Sequence, residues 1–505
     1  MNLTQELKSF LWKRYFNTRE QILLWLILII GIIARLVIAF QSQLWRDEVY
    51  FFDISRTKSI FDLVFQNYWD TVHPSFYYIV IHFWQKISID PLFLRFPGII
   101  FSFFILYLIP ILAIKIFPRN KPFAFILLIL YGLSQTQISL NVVVRPYPLV
   151  IFLTLISLIL FIDILSNKNI SKNKIIFFAL INGLIGYTDY SGVWLIISYY
   201  CFAPLFLIIY KPNKRFRKNI LLALGVTIFT AIPWLLLFFR HLPNTLEIPG
   251  RNLSPFFDKN INILQANLWQ LRFFSSTLYS DILIRLNLLS DIGQSILFII
   301  LSIIGIILSF RENKIQSLLI FVILFFPLIA SFLFSLMISP IFLGRNLHVV
   351  SLMLLFGLAY LLSSVYRHRS LLTFVFLIMW AANFISSDKI IHHVDPPYDW
   401  KGVAQVISVN QNVTMISDEP YYIFDPIKYY SRLKNSSINI EILHISELNT
   451  INKNTIIYLI NTVSAKQPQQ EKNDLFQQLA YQSGCKLHET TFDYISLAQC
   501  KFTAP

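Results

Sequence analysis

Two adjacent carboxylates, Asp47 and Glu48, stand in the run Gln43-Leu44-Trp45-Arg46-Asp47-Glu48-Val49-Tyr50, directly behind an apolar stretch at 21–40. Anchoring at a lipid–water boundary uses Trp, Tyr, Lys and Arg, so it does not explain this pair. Two readings stand: a general base with a positioning partner, or a capped, solvated turn opening an interfacial helix. A second run, Asn67 to Tyr78, holds Asp70, His73 and Tyr77. Three more lie at the ends of apolar stretches: Val144-Arg145-Pro146-Tyr147-Pro148, Tyr187-Thr188-Asp189-Tyr190-Ser191-Gly192 and Phe342-Leu343-Gly344-Arg345-Asn346. Ionisable groups this close to hydrocarbon are costly and usually have a job or a partner. A lone Arg there can also be a snorkelling anchor. Together, the two Arg and the His suit a phosphate, and a carboxylate beside them suits deprotonation of a hydroxyl. Arg35, within the outer third of the first apolar stretch, is expected to pair with Asp47 or its neighbours as a structural contact.

The elements that must position these residues follow from composition. Of 505 residues, 56% are apolar and only 14% are Asp, Glu, Lys or Arg, against about 45–50% and about 25% in soluble domains. Mean hydropathy is +0.60 and Phe alone counts 47. Lipid must solvate most of such a chain. Scarce Gly (14) and Pro (22) exclude a collagen-like or disordered protein, and three Cys exclude a disulfide-stapled scaffold. Apolar runs at 21–40, 97–117, 123–140, 147–165, 175–188, 192–210, 219–239, 294–310, 316–338, 347–365 and 371–387 are expected to be eleven membrane spans, the run at 175–188 being the shortest. The stretch 75–87, with His82 at its middle and several Tyr and Trp, suits a helix lying in the interface.

Charge sets the expected topology. Net charge is +15, yet residues 388–505 hold 10 basic and 12 acidic residues, so the excess belongs to the apolar part and not to a nucleic-acid surface. With the N-terminus (1–20) in the cytoplasm and 75–87 not crossing, the inner segments carry 19 Lys/Arg against 3 acids. The outer ones then carry 12 basic against 11 acidic residues. That is the positive-inside pattern. It puts every candidate residue on the outer side and residues 388–505 outside the cytoplasm, in a multi-pass protein of the plasma (inner) membrane. Residues 21–40 read as a retained anchor rather than a cleaved signal.

The expected architecture is thus an all-α polytopic membrane domain (21–387) with a first outer loop (41–96) holding interfacial helices and a large outer loop (240–293). A small C-terminal α/β domain (388–505) follows. In the tail, helices are expected at 399–410, 425–433 and 471–482, and extended segments at 413–417, 440–445, 455–461 and within 486–499. Cys485 and Cys500 allow either a disulfide or two free thiols; Cys201, inside a span, reads as packing. Neither a Walker loop, a dinucleotide fingerprint nor a compact metal-ligand set is present, and His392-His393 near Asp395 reads first as a solvated linker. The loop at 240–293, with Arg251, Trp269 and Arg272, is either a cover over the cleft or an ordinary connection.

The runs LWRDEVYFF (44–52), HPSFYYIVIHFW (73–84), LRFPGIIFS (94–102), RPYPLVIFL (145–153) and YTDYSG (187–192) fall in an order that resembles the family 39-like, GT-C-fold integral-membrane glycosyltransferases. These include protein O-mannosyltransferases and lipid A aminoarabinose transferases. The likeness covers roughly residues 20–390 and is most specific at 44–102; DWKGVAQVI (399–407) and the Tyr pair at 429–430 resemble the appended outer domain of some bacterial members. The resemblance implies transfer of a monosaccharide, with inversion, from a polyprenyl phosphate to a hydroxyl of a lipid, glycan or protein. It makes Asp47 the base, Glu48 its orienting partner, His73, Arg145 and Arg345 the donor-phosphate ligands, and Tyr77, Tyr147, Asp189 and Tyr190 the lining. No cofactor is implied with certainty; a divalent metal is compatible. The chain departs from the family pattern at Ser75, Val144 and Asp189, where relatives often show Pro, an acid and His, which leaves sugar and acceptor unspecified. The alternative class is a transporter or flippase of lipid-linked saccharides. Such proteins tend to carry repeats and mid-membrane polar residues, whereas here the ionisable groups gather at one boundary.

Overall fold

The structure, a computed structural model, describes residues 11–65, 74–166, 171–212, 214–246, 291–337, 347–385, 399–410, 412–417, 420–434, 438–444, 456–462, 485–492 and 495–502. Contacts divide the chain into two compact units: Met1–Phe40 with Ser55–Ser387, and Gln41–Ile54 with Asp388–Pro505. The segment bearing Asp47 and Glu48 therefore groups with the tail, a division not drawn from sequence.

The first unit is helical. Its helices are α1 (Thr18–Gln41), the end of α2 (Arg46–Thr57), α3 (Ile60–Phe65), α4 (Phe76–Trp84), α5 (Pro91–Ile116), α6 (Lys121–Gly132), α7 (Gln135–Val142), α8 (Tyr147–Ser166), α9 (Lys172–Thr188), α10 (Val193–Tyr210), α11 (Lys214–Leu246), α12 (Asp291–Ser309), α13 (Lys314–Met337), α14 (His348–Tyr366) and α15 (Ser370–Ile385). Within the described residues the apolar runs read from sequence lie on helices, the run at 123–140 on two of them. Among the described residues six helices are long and apolar enough to cross a membrane alone, or seven if the bent pair α6–α7 forms one span. Helix α4 has nine residues, about 13 Å of rise, and cannot cross about 30 Å of hydrocarbon.

The single run at 123–140 is broken: α6 and α7 meet at 59°. Gly132 ends α6, and Ser134 starts α7 by accepting the Gln137 N–H at 3.4 Å. Gln135, Thr136, Gln137 and Asn141 of α7 are buried by protein, with Gln137 Nε2 donating to Ser351 Oγ at 2.9 Å. Other starts are similarly local. Asp90 accepts the N–H groups of Leu92 and Phe93 at the head of α5, and Ser171 accepts that of Lys174 at the head of α9.

Lipid-facing and packed surfaces separate cleanly. Ile30, Ile33 and Phe40 on α1, and Phe229 and Leu236 on α11, stay half-exposed or more, as surfaces solvated by acyl chains would. Inside, Phe161, Phe178, Tyr199 and Phe202 pack ring on ring between α8, α9 and α10. Helices α12 and α14 approach through glycine: a methyl on Gly305 would fall on the Gly357 carbonyl, and one on Gly357 on the Ser302 carbonyl. Small residues allow such backbone approach in membranes.

The second unit holds α16 (Trp400–Ile407), α17 (Pro420–Lys434) and strands β1 (Asn412–Ser417), β2 (Asn439–His444), β3 (Ile456–Thr462), β4 (Cys485–Phe492) and β5 (Ile495–Phe502). The sheet order is β2-β1-β3-β5-β4, parallel across β2, β1 and β3 and antiparallel across β3, β5 and β4. This is the expected α/β domain, α17 supplying the crossover between parallel β1 and β2. The helix expected at 471–482 lies outside the described residues. Cys500 is in register with Leu487, so it is a diagonal neighbour of Cys485. The side chains of Cys485 and Cys500 lie outside the described residues.

Candidate active site

The Asp47 segment is pinned by the tail. The Leu44 N–H donates to Tyr430 Oη at 2.5 Å, Gln43 Nε2 donates to Asp399 Oδ1 at 3.1 Å, and the Lys401 N–H donates to Gln43 Oε1 at 3.1 Å. Phe52 meets Tyr429 edge to face at 5.5 Å. Asp399 also caps α16 by accepting the Gly402 N–H, so one carboxylate organises both segments.

Within this segment the two carboxylates have different fates. Glu48 is fully buried and its Oε2 accepts the Trp45 N–H at 3.1 Å. This is the reach-back half of a capping box, made by the third residue of α2. Asp47, in the same first turn, keeps a partly exposed side chain. The sequence left base and cap as alternatives for the pair; the fold gives the cap to Glu48. A second acidic pair lies nearby in the unit. Burial pushes the Asp425 carboxyl up to about 6, Asp53 reinforces the rise, and Arg46 and Lys428 oppose it.

In the membrane unit a buried polar network joins three segments far apart in sequence. Asp189 accepts from both the Ser191 hydroxyl and the Ser191 N–H, the latter at 2.8 Å. Ser191 Oγ lies 2.8 Å from His348 Nε2, and the His348 ring lies 5.4 Å from that of Tyr147. All four residues are buried. With the serine proton given to Asp189, the serine lone pair is free to accept His348 Nε2–H. The turn needs Gly192, because a Cβ there would stand 2.7 Å from Val150 Cγ2 of α8.

Arg145 is buried in the bend before Tyr147, and its backbone N–H donates to the Val143 carbonyl at 2.8 Å. Tyr77 is buried on α4. Tyr147, Asp189 and His348 are brought together; Asp189 enters through Ser191 and faces into the network. His73, Arg345, Arg251, Trp269, Arg272 and the pair His392-His393 lie outside the described residues, as does the Tyr190 side chain. His348, Ser191 and Arg95 were missed by sequence reasoning. Arg95 is fully buried at the head of α5 and donates to the Ala39 carbonyl at 3.3 Å. Ser191 and Arg95 fell inside quoted runs without a role, and His348, three residues after Arg345, had no neighbouring signal. Arg35 corrects an expectation. It donates to the carbonyls of Gly31 and Gly132 at 2.9 and 2.8 Å and lies over the Tyr131 ring, so its partners are backbone and π-face. Among the described residues no three of His, Cys, Asp and Glu gather as metal ligands.

The sequence matches no family model and no curated protein. Its fold is similar to solved structures along almost its whole length. ArnT from Cupriavidus metallidurans bound to undecaprenyl phosphate aligns with a TM-score of 0.54 at 13% identity, over 94% of this chain and 97% of that one. The apo state of the same protein gives 0.51 at 13% identity, over 94% and 97%. The Archaeoglobus fulgidus oligosaccharyltransferase, in complex with Zn and sulfate, gives 0.53 at 12% identity, over 93% of this chain and 72% of that one. At such identity the likeness is one of architecture, and that architecture is the GT-C fold of integral-membrane glycosyltransferases.

Proposed function

We propose that this chain is a membrane glycosyltransferase that moves a monosaccharide from a polyprenyl-phosphate donor to an acceptor hydroxyl on the extracytoplasmic side, with inversion. The observation that carries this reading is the split between Asp47 and Glu48. In a GT-C fold, one carboxylate of the pair is buried as a helix cap and the other remains partly exposed at the first turn of α2. Asp47 takes the proton of the acceptor hydroxyl as its oxygen attacks the anomeric carbon. The bond from that carbon to the phosphate oxygen breaks, and one displacement inverts the centre. The departing phosphate gains charge, which His73, Arg145 and Arg345 are there to stabilise. Tyr77, Tyr147 and Tyr190 line the site, while Asp189 acts through Ser191 and His348. The undecaprenyl phosphate bound by ArnT supports a lipid-phosphate donor here.

The test is incubation of the purified chain with a panel of radiolabelled polyprenyl-phosphate sugars and mixed envelope acceptors. One donor should be consumed, with release of polyprenyl phosphate and a product of inverted anomeric configuration. Failure to consume any donor would sink the proposal. The bent pair α6–α7 favours a second reading, transport of a lipid-linked saccharide, because discontinuous helices often form transporter sites. Movement of an intact lipid-linked sugar across liposomes, without cleavage, would establish that reading instead.

A further inference from the structure

Asp163 lies near the end of α8 remote from Tyr147, about 24 Å along the helix. Its carboxylate holds two ammonium groups at once. Lys115, in the last turn of α5, is on Oδ1, and Lys174, in the first turn of α9, is on Oδ2 at 3.0 Å. The three side chains are only 10–12% exposed. Arg14 adds a third cation whose field reaches Lys115, and among the described residues Asp163 is the one carboxylate acting there. The cluster is therefore rich in positive charge and poor in water. Buried ions whose charge is not matched lose more in desolvation than they regain from one another. Each ammonium has three donors, and one of them is on Asp163. A further anion is the group that would complete the set.

Two features say which anion. About 12 Å along α5 from Lys115, Trp12 stacks on Tyr107 at 4.7 Å, donates from Nε1 to the Tyr107 carbonyl at 2.8 Å and sits 4.9 Å from Trp25. Aromatic groups of this kind mark the headgroup level of a bilayer. On α9, Ile176, Phe177 and Leu180, within two turns of Lys174, stay 44–50% exposed, an apolar surface for acyl chains on the same helix.

We infer that the Lys115–Asp163–Lys174 cluster is a binding site for the phosphate of an anionic phospholipid, at the opposite end of α8 from Tyr147 and His348. The site is independent of the glycosyl-transfer reading. The two lysines and Arg14 hold the phosphate oxygens, Asp163 fixes the spacing of the two ammonium groups, and α9 carries the lipid tail.

The full chain in detergent is titrated with phosphatidylglycerol and, separately, with phosphatidylcholine, and bound lipid is counted by native mass spectrometry. Wild-type protein should retain phosphatidylglycerol preferentially. Lys174→Gln and Lys115→Gln each leave a balanced Lys–Asp pair, so both should fold, and each should lower the preference about fivefold. Equal retention of the two lipids by wild-type protein, a comparison that needs no variant, would overturn the inference. So would an unchanged preference in both lysine variants. Inorganic phosphate displacing phosphatidylglycerol at equal concentration would overturn the lipid assignment, because the acyl chains would then add nothing.

Discussion

His348 Nε2 lies 2.8 Å from Ser191 Oγ, a hydrogen bond between residues 157 positions apart that ties the head of α14 to the turn before α10. Because Asp189 holds the serine proton, the histidine is oriented as the donor. Tyr147 closes the same cluster from α8, two residues after Arg145.

The network should therefore position the ends of three helices rather than touch the reacting atoms. His348→Ala is expected to lower kcat/KM by roughly a hundredfold, the scale of an ångström-sized misplacement. His348→Gln, which can still donate to Ser191, should recover most of it. Steady-state kinetics on the donor identified by the panel, beside a thermal melt, would check this; loss of activity equal in both variants would count against the hydrogen bond.

Asp47 and Glu48 should separate by function. Asp47→Asn keeps the size and the fold but removes the base, with an expected fall of about 10²–10⁴ in turnover. Glu48→Gln still reaches the Trp45 N–H and should stay near wild type. Glu48→Ala should instead cost about 1 kcal/mol of stability by freeing the cap. Near-normal turnover by Asp47→Asn would remove it from the base role.

Tyr430 tests whether the tail holds the Asp47 segment in place. Tyr430→Phe leaves the buried Leu44 N–H without its acceptor, an expected loss of about 1–3 kcal/mol. Limited proteolysis should then cut within 41–54 faster than in wild type. Unchanged cleavage would show that the hydrogen bond does not hold the segment.

Asp425 gives a pH dependence with a defined sign. Its folded pKa of about 6 lies above the ordinary carboxyl value of about 3.9. The folded unit thus binds more protons than the unfolded one across this window, and stability should fall as pH rises from about 4 to about 6. Above that the contribution is flat. Asp425→Asn should flatten the window and raise stability at neutral pH; melting curves of the two proteins from pH 4 to 8 would decide.

Arg345→Ala is expected to weaken donor binding roughly 10–100-fold, the range of a lost charge-assisted hydrogen bond. Equilibrium binding of the lipid-linked donor measures it directly. Unchanged affinity would rule out the phosphate role for this residue.

Chain length against bilayer thickness made the helices legible. A run of about 20 apolar residues has one way to satisfy its backbone in lipid, and within the described residues each such run is helical, one of them in two pieces. Alternating apolar patterns likewise marked the tail's strands. The break between α6 and α7 stayed hidden, because hydropathy continues through Leu133 while the bend depends on a Ser134 cap and on helices that shelter the polar turns. Composition could place Asp47 and Glu48 at a boundary but could not tell which of them caps α2. That depended on which carboxylate turned toward the Trp45 N–H. The partners of Arg35, the raised Asp425 carboxyl and the Ser191–His348 bond were settled only by tertiary structure. Each joins groups tens to hundreds of residues apart, and a local pattern carries no record of which distant polar atoms must satisfy one another once water is gone.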